Sequence, residues 1–319
     1  MSAVLRGALL ILLIVGVCSA QTGSLSGPII GYVFDGNTGK MRPVQGILGS
    51  ATVGAPIEAD FAISQALTLD ANHAVVSTDV ALLALSLNGA QISPLAIPDV
   101  PANPTRMAAS VQATAAAFYY PNAREVRIVT GLPQEPKYSA VVQLDRALTR
   151  MAVSNDGTVL VYASDEPDGN VLYAWTASSG ASRFVTSAGT ISGIAITSNG
   201  DAIVTDRAAN EVFAVFDPGG GAVRRLLADV NQSISGPIGV ALSPEGRILI
   251  GNKESGDVAV LDSSGRFIKT LHCDCAVSGV YPIRNTVFRL TDGIDQTIYL
   301  LDASSSEERI VFVPPPPQE

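Results

Sequence analysis

The chain is short of charge, aromatics, cysteine and histidine, and each shortage argues against a class of function. Charged residues fill 15% and aromatic residues 6% of 319 positions, with one tryptophan, three cysteines and two histidines. Bases are outnumbered, 20 Lys and Arg against 29 Asp and Glu, for a formal charge of −9. Nucleic acid and anionic membranes reward basic surfaces, so neither is expected as a partner. Two histidines, neither in a strand-end motif, give little support to proton transfer by imidazole. No nucleophile elbow, phosphate loop or zinc-binding helix motif occurs. After residue 20, no apolar run approaches the roughly 20 residues of a membrane span.

The N-terminus is the exception. MSAVLRGALLILLIVGVCSA reads as a signal peptide: Arg6 supplies the positive start, residues 8–17 the apolar stretch, and Cys18, Ser19 and Ala20 the small cleavage residues. The alternatives are an uncleaved anchor and a lipoprotein held through Cys18, though the latter wants a small residue where Val17 stands. Residues 1–20 are therefore expected to leave, 21–28 to form a linker, and the mature chain to start near Gln21. The expected address is secreted or periplasmic, with no transmembrane segment after cleavage. Two cysteines then remain, in Leu271-His272-Cys273-Asp274-Cys275. An oxidising setting favours a Cys273–Cys275 disulfide, which would staple a local turn. Free thiols, or a soft-metal cluster with His272, are the other readings.

What the chain has in plenty is apolar residues, 47% of the total, set in a repeat. An apolar strand leads to a polar turn with glycine, a second apolar strand, a loop and a hairpin. Three copies begin at Met151, Ile194 and Val240, and their turn glycines, Gly157, Gly200 and Gly246, lie 43 and 46 residues apart. That period matches one four-stranded propeller blade. Strands such as TVLVYA and RILIG are apolar on both faces, as a blade between two neighbours requires. A further copy runs from Gly279. Another starts at Ala66, and a looser one at Met107, with Pro121 and Asn122 expected to break its strands.

Residues 29–47 match only the second half of a repeat, with Asp35 in the place of Asp262. The expected fold is thus all-β, a single propeller over residues 29–313, with seven blades of which one is reduced. Six blades plus an N-terminal hairpin is the alternative. Residues 314–319, PPPPQE, form an extended tail, since proline cannot donate backbone bonds.

Between residues 150 and 270 the stretches AVSNDGTVLVYAS, AITSNGDAIVTD with EVFAVFD, and ALSPEGRILIGN with DVAVLD resemble the NHL and YVTN propeller repeats. The resemblance implies the architecture. Such relatives include protein-binding scaffolds, lactonases and metal-dependent sugar-lactone hydrolases, so it leaves activity open.

Several repeats place an acid or amide after the second strand: Asp79, Asp165, Asp206, Asn252 and Asp292. Converging on one face, they could bind a divalent cation, which wants several oxygens. Asp and Asn also open turns by bonding their own backbone, and every blade needs that turn. Arg207 and Lys253 follow two of these residues, either to neutralise them or to hold an anion. The expectation is a monomeric binding scaffold for a protein or small-molecule partner, with no cofactor and no chemistry of its own. A lactonase-like hydrolase, with or without a divalent cation, is the alternative.

Overall fold

The structure, a computed structural model, describes residues 27–304 and 308–316. The expected leader with Cys18, most of the linker and the end of the tail lie outside the described residues. Seven antiparallel sheets follow one another along the chain, six of four strands and the first of three. They form a seven-bladed propeller with a reduced first blade.

The blade turns explain the repeat. In four blades a hydroxyl at the end of the innermost strand closes the first turn: Ser110, Ser154, Thr197 and Ser243 accept from the backbone N–H of Ala115, Val159, Asp201 and Arg247. In three of these turns the glycine that sets the period has positive φ, +71° at Gly157, +89° at Gly200 and +81° at Gly246. A side chain there would be strained, so glycine is the residue that fits. The second-to-third strand turn has its own signature. An acid or amide opens it, and a left-handed residue, Gly39, Asn210 or Gly256, closes it.

Packing between blades carries the stability. Seven apolar clusters each join two successive blades. Leu160 and Tyr162 face back to the third blade while Val161 and Ala163 face forward to the fifth. Strand alternation therefore feeds two seams at once, which is why these strands read as apolar on both faces. The ring closes where Val33, Val44 and Val53 of the first blade meet Ile298, Leu300 and Val313 of the last. Among the described residues no sheet mixes strands from the two ends of the chain. Closure rests on side-chain packing.

Two expectations need correction. The front segment is not the second half of a repeat: it forms three strands, Ile29–Asp35, Lys40–Ile47 and Ser50–Val53. The innermost strands of the other blades run away from the recess that Phe34 shares with Ser64 and Gln65, whereas Ile29–Asp35 ends there. It has the direction of a second strand, and Ser50–Val53 packs beside Arg309–Val313, the outermost strand of the last blade. The reduced blade lacks its innermost strand. Asp35 accordingly matches Asp206, not Asp262: its carboxylate takes the N–H groups of Asn37 and Thr38 as that of Asp206 takes Ala208 and Ala209. The second correction concerns Pro121 and Asn122. They break no strand, because they occupy the turn between Ala115–Tyr120 and Glu125–Thr130.

Leu300 is fully buried at the closing seam. Leu300→Ala should lower unfolding free energy by about 2–5 kcal/mol, the range for emptying a packed core site. Urea titration of the two proteins checks this; an unchanged midpoint would mean the seam does not hold the ring.

Candidate functional site

The propeller has two faces, and the acids foreseen as a ligand ring all sit on one of them, called the upper face here. Their surroundings differ. Asp206 is buried and accepts from the N–H groups of Gly189 at 2.7 Å, Thr190 at 2.9 Å, Ala208 at 3.1 Å and Ala209 at 3.3 Å. It ties the crossover from the previous blade to its own turn. Asn252, fully buried, holds the crossover alone, accepting from Ser235 N–H and donating to the Ser233 carbonyl. Both side chains are consumed by backbone.

Asp165 is exposed and receives Asn170 Nδ2 at 2.5 Å, whose Oδ1 in turn accepts from Ile191 N–H. Asp79 is exposed in its turn, with its backbone carbonyl accepting from Asn103. Asp292 lies 3.8 Å from Arg289 and 3.4 Å from the Tyr281 hydroxyl. Arg207 and Lys253 are exposed, and neither forms an ion pair among the described residues. The five acid and amide groups are therefore not a convergent oxygen cage. Among the described residues no three His, Cys, Asp or Glu side chains are grouped as metal ligands.

Cys273 and Cys275 are joined by a disulfide, their Cα atoms 5.0 Å apart. His272 beside it lies between two carboxylates, with Nδ1 2.7 Å from Asp257 and Nε2 3.2 Å from Asp274. The hydrogen bond and charge of Asp257 raise its pKa above the usual histidine range. His73 starts the strand His73–Ser77 and bonds to Asp70, half-buried.

The space on the axis was not anticipated. At the lower face, where first-to-second strand turns gather, the channel opens into a cavity of about 600 Å³. Its walls are largely apolar: Leu67, Met151, Ile194 and Val240 from inner strands, with Phe216 and Leu227 beyond them. Polar groups such as Asp70, Asn199 and Arg225 complete the lining. At the upper face lies a recess of about 430 Å³ lined by Ser64, Gln65, Thr105, Arg106, Thr149 and Arg150. Leu67 and Met151 belong to both linings.

Six innermost strands contribute one residue each to a layer at this upper mouth, three positions before the strand ends: Gln65, Arg106, Arg150, Gly193, Gly239 and Tyr281. The two glycines let adjacent strands approach. A Cβ on Gly193 would lie 2.9 Å from the Val240 nitrogen and 3.0 Å from the Gly239 Cα. Arg150 instead extends to the neighbouring blade, donating from Nε to the Ser192 carbonyl at 2.8 Å and from Nη1 to its neighbour Thr149 at 2.9 Å. Burial, and next the Arg106 charge, push its guanidinium below the usual arginine range. Sequence reading passed over these arginines because it followed the turns. Aligning the repeats on their turn residues and comparing the inner-strand position would have exposed them.

Comparison with known proteins places the fold and nothing finer. No family model and no curated protein matches the chain. Among solved structures, it is similar to a streptogramin B lyase structure, with TM-score 0.54 and 10% identity over 80% of this chain and 83% of that one. It is also similar to Kuenenia stuttgartiensis hydrazine synthase, with TM-score 0.52 and 13% identity over 92% and 98%. A nidogen/laminin complex gives TM-score 0.48 at 12% identity, over 74% and 91%.

Two outcomes follow from the geometry. Asp206→Ala removes a buried carboxylate and its bonds to four backbone N–H groups, and should cost on the order of 3 kcal/mol. Asp79→Ala, at an exposed position, should stay within about 0.5 kcal/mol of wild type. Chemical denaturation compares them, and equal effects would refute the structural role of Asp206. For His272, a pKa raised by folding means a stabilising contribution that is complete below the unfolded value of about 6.5 and lost as pH rises through the folded pKa. The imidazole should titrate above about 6.5 by NMR. His272→Gln should flatten the small fall in urea midpoint over that window, and an unshifted imidazole titration contradicts the ion pair.

Proposed function

We propose that this propeller is an exported binding module of the NHL/YVTN type. It takes a small, mostly apolar ligand, or the apolar side chain of a partner, into the lower cavity and performs no chemistry on it. The observation that supports this is the cavity itself. Its volume of about 600 Å³ falls in the range of small-molecule sites, and its apolar walls carry a few polar groups that could orient a guest. A metal-dependent lactonase has less support, because Asp206 and Asn252, the residues it needs, are engaged by backbone on the other face. The disulfide and the N-terminal leader sequence support export.

One experiment joins these points. The full-length chain, expressed with its leader, should be recovered outside the cytoplasm with its N-terminus near Gln21. That material should bind the neutral probe N-phenyl-1-naphthylamine with a saturable rise in fluorescence. Val240→Trp, which places an indole in the cavity wall, should abolish the rise while the far-ultraviolet circular dichroism is unchanged. Equal binding by a folded Val240→Trp protein would remove the cavity as the site, and an uncleaved cytoplasmic chain would remove export.

A further inference from the structure

The upper mouth carries two guanidinium groups without an ion-pair partner. Elsewhere in this acidic chain several arginines have a carboxylate partner: Arg42 pairs with Asp35, Arg127 with Glu125, Arg224 with Glu211 and Arg266 with Asp262. Among the described residues neither Arg106 nor Arg150 forms such a pair. They stand instead at the same register position in consecutive blades, line the same recess, and act on one another as like charges. Placing two cations together costs electrostatic energy unless an anion sits between or beside them.

We propose that Arg106 and Arg150 form a binding site for the anionic group of a small ligand, a carboxylate or a phosphate. Planar guanidinium donors match both groups and can engage them with two parallel hydrogen bonds. Arg150 is held in place by the Ser192 and Thr149 carbonyls through Nε and Nη1, which leaves Nη2 outside those two bonds. A donor fixed in advance loses little entropy when a ligand arrives. Arg106 is exposed and adjustable. The Gln65 amide lines the same recess; one of its N–H groups bonds the Pro104 carbonyl and the second can be offered to an oxygen anion, whereas the Thr105 and Thr149 hydroxyls already donate to the Tyr119 and Ala163 carbonyls. The next two positions of the layer are Gly193 and Gly239, so no side chains crowd the mouth from those blades. One group offsets part of this positive charge: the Asp165 carboxylate interacts favourably with Arg150. Asp165 is already bonded to Asn170, and the Tyr281 hydroxyl donates to the Ser278 carbonyl. The site is distinct from the lower cavity and does not depend on it.

Calorimetric titration at low ionic strength tests this, using inorganic phosphate in one arm and succinate in the other. Saturable binding of either is the expected result, and the arm that binds assigns the anion class. Arg106→Gln and Arg150→Gln should each weaken it by about tenfold or more, the loss expected for a hydrogen bond to a charged group. Arg207→Gln and Lys253→Gln, on the same face but outside the recess, should leave it unchanged. Val240→Trp should also bind the anion normally, which separates this site from the apolar one. Because Arg106→Gln relieves a like-charge contact, its melting temperature should equal or exceed that of wild type, so loss of binding cannot be laid to unfolding. Failure of both anions to bind overturns the proposal. Equal weakening by all four surface substitutions also overturns it, since that marks general charge attraction.

Discussion

Everything in this molecule depends on the covering of apolar blade faces by neighbouring blades. A single four-stranded sheet with both faces apolar is insoluble by itself, and a row of them still exposes the faces at its two ends. Only a closed ring leaves none. Closure is therefore the decisive contact, and here it is made by side chains meeting across the seam of the first and last blades. No strand from one end of the chain completes a sheet at the other among the described residues. The seam must hold by hydrophobic burial, at roughly 25 cal/mol per Å² of apolar area. The reduced first blade fits this logic. Its outermost strand still lies beside that of the last blade, while the strand it lacks is the innermost one, which would have lined the channel.

A ring built this way spends its polar residues on joints. Each crossover between blades carries backbone N–H groups that burial would leave unpaired, and leaving one unpaired costs about 1–3 kcal/mol. Asp206 meets that need by bonding the crossover and its own turn together, and Asn252 by bonding the crossover at Ser233 and Ser235. Asp35 bonds its own turn at the same place in the reduced blade, with Arg42 against its carboxylate. The same residue types would suit a cation site, and a sequence alone cannot separate the two uses at equal spacing. Counting the donors around each carboxylate does.

The repeat period, the turn glycines and the doubly apolar strands were legible because each is a local requirement restated in every blade. Less legible was anything that depended on direction or depth. Asp35 was assigned to the wrong turn because strands of a blade alternate in direction, and a truncated copy matches its template equally well shifted by one strand. Pro121 and Asn122 looked like breaks, since strand length was judged without knowing that the turn falls between Tyr120 and Glu125. The partner of His272 was not legible either: Asp257 lies 15 residues away in sequence and meets it across the sheet only through strand register.

The channel is where the chain is free to differ from its own repeat. Turn residues and seam residues answer to the scaffold in every blade. The layer at the upper mouth does not, and it holds an amide, two guanidinium groups, two bare backbones and a phenol in succession. The glycines answer to the close approach of their strands, but no packing demand explains the two arginines, which repel each other. The opposite mouth is lined by apolar side chains with polar groups among them. A propeller with a charged recess at one end of its axis and an apolar chamber at the other offers two kinds of recognition on one rigid ring. The apolar chamber is the more constrained of the two, since its wall residues Leu67, Met151, Ile194 and Val240 also pack in the seams between blades.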